Sequence, residues 1–204
     1  MVASPIGSAP PYRYPDGVTA PYEIRVIGDP VLRARASEVT DIDGKLAKLA
    51  DDMLATMYEA PGLGLAAPQV GVQKRLFVYD VGEGPMTIVN PEIVETHGEW
   101  AYDEGCLSIP GLAFELLRPK EVHLKGYDLD GNEVSIEADE LLARAFQHEM
   151  DHLDGVLFIE RLDDDTRKAA MRIIREQRLT AADLADADLA APSARGGGFS
   201  LRLS

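Results

Sequence analysis

Two helical stretches on either side of a run of short strands predict a domain of mixed α and β structure. The first observation is residues 43–59, where Leu46, Leu49, Met53 and Met57 recur at helical spacing while Lys48, Asp51 and Asp52 lie off that stripe. The second is a set of β-rich segments between Arg75 and Ile136, with Asp130-Gly131 suited to a hairpin turn. The third is residues 139–153, a helix that Leu141, Leu142, Ala145, Phe146 and Met150 make apolar nearly all round. A helix of that kind is buried, here between sheets.

The elements follow in order. Residues 1–21 hold five prolines and two glycines among small and polar residues. They cannot bury a face and read as a disordered or loosely draped tail. Residues 22–27 alternate as a short extended segment. Asp29 then caps a single helical turn that opens on Pro30. The helix over 43–59 stops at Pro61-Gly62. Gly62-Leu63-Gly64-Leu65-Ala66-Ala67-Pro68-Gln69 lacks the following Lys and helix start of a phosphate cradle. On composition it is a tight buried loop, and its glycines permit close backbone approach. Residues 75–81 and 87–90 read as strands, the second interrupted by Pro91 and continued by 93–95. Residues 100–103 lead into Glu104-Gly105-Cys106-Leu107-Ser108-Ile109-Pro110-Gly111, a short glycine-containing loop between β-like segments. Segments 121–128 and 134–136 flank the Asp130-Gly131 turn, Gly155 ends the 139–153 helix, and a last helix covers 163–178. Residues 179–204, rich in Ala, Asp, Ser and Gly, read as a flexible tail, which leaves one catalytic-size domain over 22–178.

Composition narrows the class. The chain has 204 residues, 46% of them hydrophobic, enough for one globular core. No run approaches the roughly 18 apolar residues of a membrane span. Residues 1–11 lack the basic segment and apolar stretch of a secretory signal. The single cysteine, Cys106, cannot form an internal disulfide, and a cytoplasmic, reducing location is expected. A net charge of −15 repels nucleic acid, so direct DNA binding is not expected.

The chemistry is concentrated in Gln147-His148-Glu149-Met150-Asp151-His152-Leu153-Asp154-Gly155. His148 and His152 are four residues apart, so their imidazoles share one helical face and can meet one metal ion. Glu149 lies between them, able to take a proton from a metal-bound water. A catalytic site of this kind needs a third protein ligand. Cys106 is a soft ligand compatible with two imidazoles, although a lone cysteine is more often a small buried hydrophobe. His97 and His123 lack partners in sequence and read as structural or exposed.

The glycine loop at 62–69, Glu104-Gly105-Cys106-Leu107-Ser108 and Gln147 to Gly155 together resemble peptide deformylase, over roughly residues 24–178. The resemblance implies an α+β fold with antiparallel β-sheets packed around the central metal-binding helix. It implies Cys106, His148 and His152 as metal ligands and Glu149 as the acid/base. The activity it implies is removal of the formyl group from the N-terminal methionine of new polypeptides, releasing formate. It offers the Gln69 amide and Leu107 N–H as oxyanion donors, and suggests that Glu104 and Arg118 pair to brace the Cys106 loop. One divalent ion per chain is expected. The Cys-His-His set accepts Zn²⁺, Fe²⁺, Co²⁺ or Ni²⁺, and the resemblance favours Fe²⁺.

An extended peptide needs a backbone edge, which Leu63, Gly64 and Gly105 could supply. Leu141 and Ala145 precede His148 on its face as walls for the methionine side chain, with Arg144 at the rim. Asp151 either orients an imidazole or faces solvent. On the last helix, Lys168, Arg172 and Arg175 share one face while Ala169, Ile173 and Ile174 can pack on the domain. A weak, salt-sensitive ribosome association through that basic stripe is expected. Two rival readings are a zinc endopeptidase, disfavoured because Phe158 stands where a third histidine is needed, and a non-catalytic ribosome-associated module, against which the intact Glu149 and Gln69 weigh.

Overall fold

The structure is a computed structural model that describes residues 21–190, and side chains among them up to Gln177. Helix α1 (Gly44–Glu59) leads into strands β1 (Gly64–Ala66), β2 (Leu76–Tyr79), β3 (Met86–His97), β4 (Trp100–Cys106), β5 (Ile109–Arg118), β6 (Glu121–Tyr127) and β7 (Glu133–Asp139). Helices α2 (Glu140–Leu153) and α3 (Asp164–Ala190) follow. Five strands form one antiparallel sheet in the order β1-β2-β3-β6-β7, and β4 and β5 form a separate two-stranded hairpin. The expected α+β class with antiparallel sheets is the one observed.

Strand β2 explains the layering. Its four residues are all buried, and successive side chains point to opposite faces. Leu76 and Val78 join Leu46, Leu49, Met53 and Met57 of α1 in one core cluster. Phe77 and Tyr79 join Ala143, Phe146 and Leu153 of α2 in another. The five-stranded sheet therefore carries α1 on one face and α2 on the other. Phe146 sets its ring edge-on to Tyr79, with centroids 5.0 Å apart.

Local signals account for the element ends. Asp43 caps α1, its carboxylate accepting from Lys45 N at 3.0 Å and Leu46 N at 2.9 Å. Asp29 caps the 3-10 turn Pro30–Arg33 in the same way. Gly155 ends α2 with φ 76°, and a Cβ there would lie 2.8 Å from the Arg33 carbonyl oxygen.

Four sequence expectations are corrected. Pro91 does not interrupt its strand: β3 runs through it, with a register shift between Val89 and Glu92 that accommodates a residue lacking N–H. The stretch 104–111 is not a loop. Glu104, Gly105 and Cys106 end β4, and β5 begins at Ile109 after a tight turn at Leu107 and Ser108. Strand β5 went unread because Pro110, Gly111 and a Glu-Leu-Leu run carry little β propensity; its pairing with β4 forms it. Helix α3 runs past Arg178 to Ala190. Finally, α2 is not buried by apolar residues all round. Leu141 is 38% exposed, while Arg144, Gln147, His148, Glu149, Asp151 and His152 are buried. Residues 1–20 and 191–204, expected as tails, lie outside the described residues.

Helix α3 is a unit of its own. Lys168, Arg172 and Arg175 are exposed on it, Ala169 and Ile173 are half-buried, and Ile174 is buried. No helix among the described residues is long and apolar enough to cross a membrane.

Candidate metal centre

Three elements converge below the β4–β5 turn. Cys106 comes from the end of β4, His148 and His152 from one face of α2, and Gln69 from the 3-10 turn Ala67–Val70 that follows β1. The donor atoms of Cys106, His148 and His152 lie within 4.8 Å of one another, and Cys106 Sγ is 3.2 Å from His152 Nε2. Ligand bonds of about 2.3 Å to sulfur and 2.0 Å to nitrogen require separations of this order.

The electrostatics suit a cation. Burial opposes ionisation of the Cys106 thiol, but His152 and His148 outweigh it and bring the pKa down to about 5. Burial likewise works against a charged His148, and the Cys106 sulfur and Glu104 more than compensate, raising it well above the ordinary imidazole value. His148 Nδ1 donates to Glu104 Oε1 at 2.7 Å, which leaves Nε2 for the centre. The donor set of one thiolate and two imidazoles therefore fits a borderline-soft divalent ion.

Glu149 is 3% exposed, and its Oε2 has no hydrogen-bond partner among the described residues. Burial pushes its carboxyl up to about 7, against the pull of the two imidazoles. Gly64 makes room for it: a Cβ on residue 64 would lie 2.3 Å from Glu149 Oε1.

Gln69 is oriented at both ends. Its Oε1 accepts from Ala66 N at 2.8 Å, while Nε2 donates to Ser108 Oγ at 3.2 Å and faces Cys106 Sγ at 3.8 Å. Ser108, absent from the sequence-derived site, is fully buried and donates its N–H to Cys106 Sγ at 3.4 Å. Its signal was the serine of the Glu104-to-Ser108 stretch itself. The extended segment before Gly28 joins no sheet. It ties the Ala67–Val70 turn to the β4–β5 turn instead, with Arg25 N on Gln69 O at 2.7 Å and Ile27 N on Ser108 O at 2.8 Å.

Behind His148 stands a chain of charges, buried except for its outer end at Arg161. Arg118 donates twice to Glu104, Nε to Oε2 at 2.8 Å and Nη2 to Oε1 at 2.6 Å. Burial alone would raise the Glu104 pKa, but His148 and Arg118 hold the carboxylate well below its usual range. Arg118 Nη1 also reaches Asp151 Oδ2 at 3.0 Å, and Arg161 binds the other Asp151 oxygen at 2.5 Å. Asp151 thus neither orients an imidazole nor faces solvent, and the carboxylate on His148 is Glu104. Arg161 carried no sequence signal. Arg144 is not at a rim: it is 4% exposed and bonded to Glu104 Oε2 at 2.9 Å. Leu63, Gly64, Gly105, Leu107 and Ala145 are half-buried. His97 pairs with Glu95 and His123 with Ser135, away from the centre.

A thiol and two imidazoles on an α+β scaffold, beside a buried carboxyl whose pKa is raised, fit the class of metal-dependent hydrolases. The model of the family described as polypeptide deformylase matches residues 21–168. The chain is 56% identical over 140 residues to a peptide deformylase of Agathobacter rectalis, covering 69% of this chain and 89% of that one. It is 54% identical over 153 residues to one of Acidothermus cellulolyticus, covering 75% and 85%. Among solved structures, the Legionella pneumophila peptide deformylase superposes with a TM-score of 0.74 at 42% identity, over 78% of this chain and 97% of that one. The Synechococcus elongatus peptide deformylase in complex with actinonin gives 0.71 at 43% identity, over 73% and 84%. The chain belongs to the polypeptide deformylase family.

Proposed function

We propose that Cys106, His148 and His152 hold one divalent ion and that Glu149 carries the proton in hydrolysis of the N-formyl group of formyl-methionyl polypeptides, releasing formate. The observation that carries this reading is the convergence of a thiolate and two imidazoles beside a buried carboxyl near neutral pKa, in a chain of this family. When bound, the ion would supply Lewis acidity and bring the pKa of a water toward neutrality. Glu149 accepts the proton of the attacking water and returns it to the departing amine. The Gln69 amide, held by Ala66 and Ser108, and the Leu107 N–H donate to the oxyanion of the tetrahedral carbon, each such donor being worth about 2.7–4 kcal/mol.

Among the described residues strand β1 pairs only with β2, so its other edge is available to an extended peptide beside Leu63 and Gly64, and Gly105 is the further candidate for a backbone contact. Ala145, half-buried one turn before Glu149, and Leu141 provide apolar surface for the methionine side chain. Fe²⁺ is the favoured ion, and Zn²⁺, Ni²⁺ and Co²⁺ fit the same donors. The substrate, a nascent chain, places the work in the cytoplasm, with weak ribosome contact through the Lys168, Arg172 and Arg175 stripe. The endopeptidase reading loses its third ligand to a buried wall: Phe158 is 1% exposed, its ring 6.1 Å from that of His148.

Anaerobically purified protein should release formate from a formyl-Met peptide and leave casein intact. Casein cleavage without formate would overturn the reading. Cys106→Ala should fold and bind no stoichiometric metal by elemental analysis; metal retained in that variant would remove Cys106 from the ligand set.

A further inference from the structure

We propose that Arg144 is the positioning residue that sets the Cys106 hairpin in place against the helix carrying both histidines. The inference rests on the metal-centre reading above. Cys106 ends β4 and His148 lies on α2, with β5, β6 and β7 between them in the chain, so connectivity does not fix their spacing. Arg144 stands one turn before His148. Its Nη2 donates to Trp100 O at 2.8 Å and to Leu116 O at 3.0 Å, and its Nη1 donates to Glu104 Oε2 at 2.9 Å. One guanidinium on α2 thus holds the main chain of both hairpin strands together with the carboxylate that fixes His148. Arg118 also reaches α2, through Asp151, but side chain to side chain.

The placement gives leverage. A strand rises about 3.3 Å per residue, so Cys106 lies up to about 20 Å along β4 from the Trp100 anchor. The Trp100 and Glu104 contacts together hold β4 near both ends, so their loss would let the hairpin, and the thiolate with it, shift against α2. The stacked rings of Trp100 and Tyr102 lie beside the guanidinium, with centroids 5.1 and 5.9 Å from its central carbon. Arg144 Nε is buried without a hydrogen-bond partner among the described residues. Packing alone would be served at least as well by an apolar side chain, because buried charges seldom outperform hydrophobic replacements in stability. A buried cation aimed at two carbonyls and a carboxylate fits a geometric task.

The test uses protein loaded with Co²⁺, whose visible absorption reports ligand geometry. Transfer of Co²⁺ to excess EDTA, the visible spectrum, kcat, KM and thermal melting are compared for the parent, Arg144→Met and Arg144→Lys. Arg144→Met should release Co²⁺ about tenfold faster or more, with a shifted spectrum and a lower kcat at nearly parental KM. Arg144→Lys, which keeps the charge but cannot fork to two carbonyls and Glu104, should fall between. A folded Arg144→Met with parental release rate and spectrum overturns the proposal, even if it melts earlier, since that is packing alone. Should Arg144→Met not fold, Arg144→Lys decides by the same criteria. A parent that takes up no stoichiometric Co²⁺ would overturn the metal-centre reading itself and the proposal with it.

Discussion

Glu104 and Glu149 are both buried beside His148, yet their carboxyl pKa values move in opposite directions. Glu104, on the hairpin side of α2, receives hydrogen bonds from Arg118, Arg144 and His148, and these hold it ionised despite burial. Glu149, on the β1 side, keeps one oxygen without a partner among the described residues, and burial dominates, lifting its carboxyl to about 7. Burial is common to both. What separates a depressed carboxyl pKa from a raised one is the number of donors the surrounding elements bring to the oxygens.

Removing Glu149, the proposed proton carrier, should give the largest effect. Glu149→Gln is expected to keep stoichiometric metal while kcat falls about 10²–10⁴-fold; near-parental turnover would end its acid/base assignment. Crowding the same carboxyl comes next. In Gly64→Ala the new methyl must displace Glu149, its Cβ lying 2.3 Å from Oε1 in the present geometry. Turnover should drop by up to about 10²-fold, with metal content unchanged.

Breaking the anchor should act on metal and fold instead. Glu104→Gln is expected to weaken metal binding about 10–100-fold in chelator competition. It leaves buried arginines facing a neutral amide, a change of about 3–5 kcal/mol at pH 7 by urea unfolding. The sign with pH follows from the depressed pKa. The Glu104 contribution is complete above its unfolded value of about 4.3 and is lost as pH falls toward the folded value. Parent and variant should therefore converge in stability on acidification, and a constant gap would contradict the ionised anchor.

The smallest effect belongs to an exposed carboxylate. Asp43 has a lowered pKa, chiefly because the Leu46 N–H donates to it, but water screens it fully. Asp43→Ala should lower the melting temperature slightly at neutral pH and by less at pH 3, where the parental cap is increasingly protonated.

What the sequence determined by itself was whatever depends on short-range periodicity or a single residue's covalent nature. Leu46, Leu49, Met53 and Met57 marked α1, Asp29 and Asp43 marked helix starts, and the spacing of His148 and His152 put two imidazoles on one face before any fold was known. Strand β5 lay beyond such reading because its pairing with β4, not its composition, makes it a strand. Cys106 was ambiguous on residue type alone, since a thiol is equally a core hydrophobe until two imidazoles approach it across a long chain separation. Arg144 looked like a rim residue because arginines are seldom buried, and only the carbonyls of Trp100 and Leu116 with Glu104 make its burial tolerable. The roles of Glu104, Asp151 and Arg161 were decided at the same level. Hydrogen-bond partners come from elements brought together by folding, and those partners, not the carboxylate itself, set which way its pKa moves.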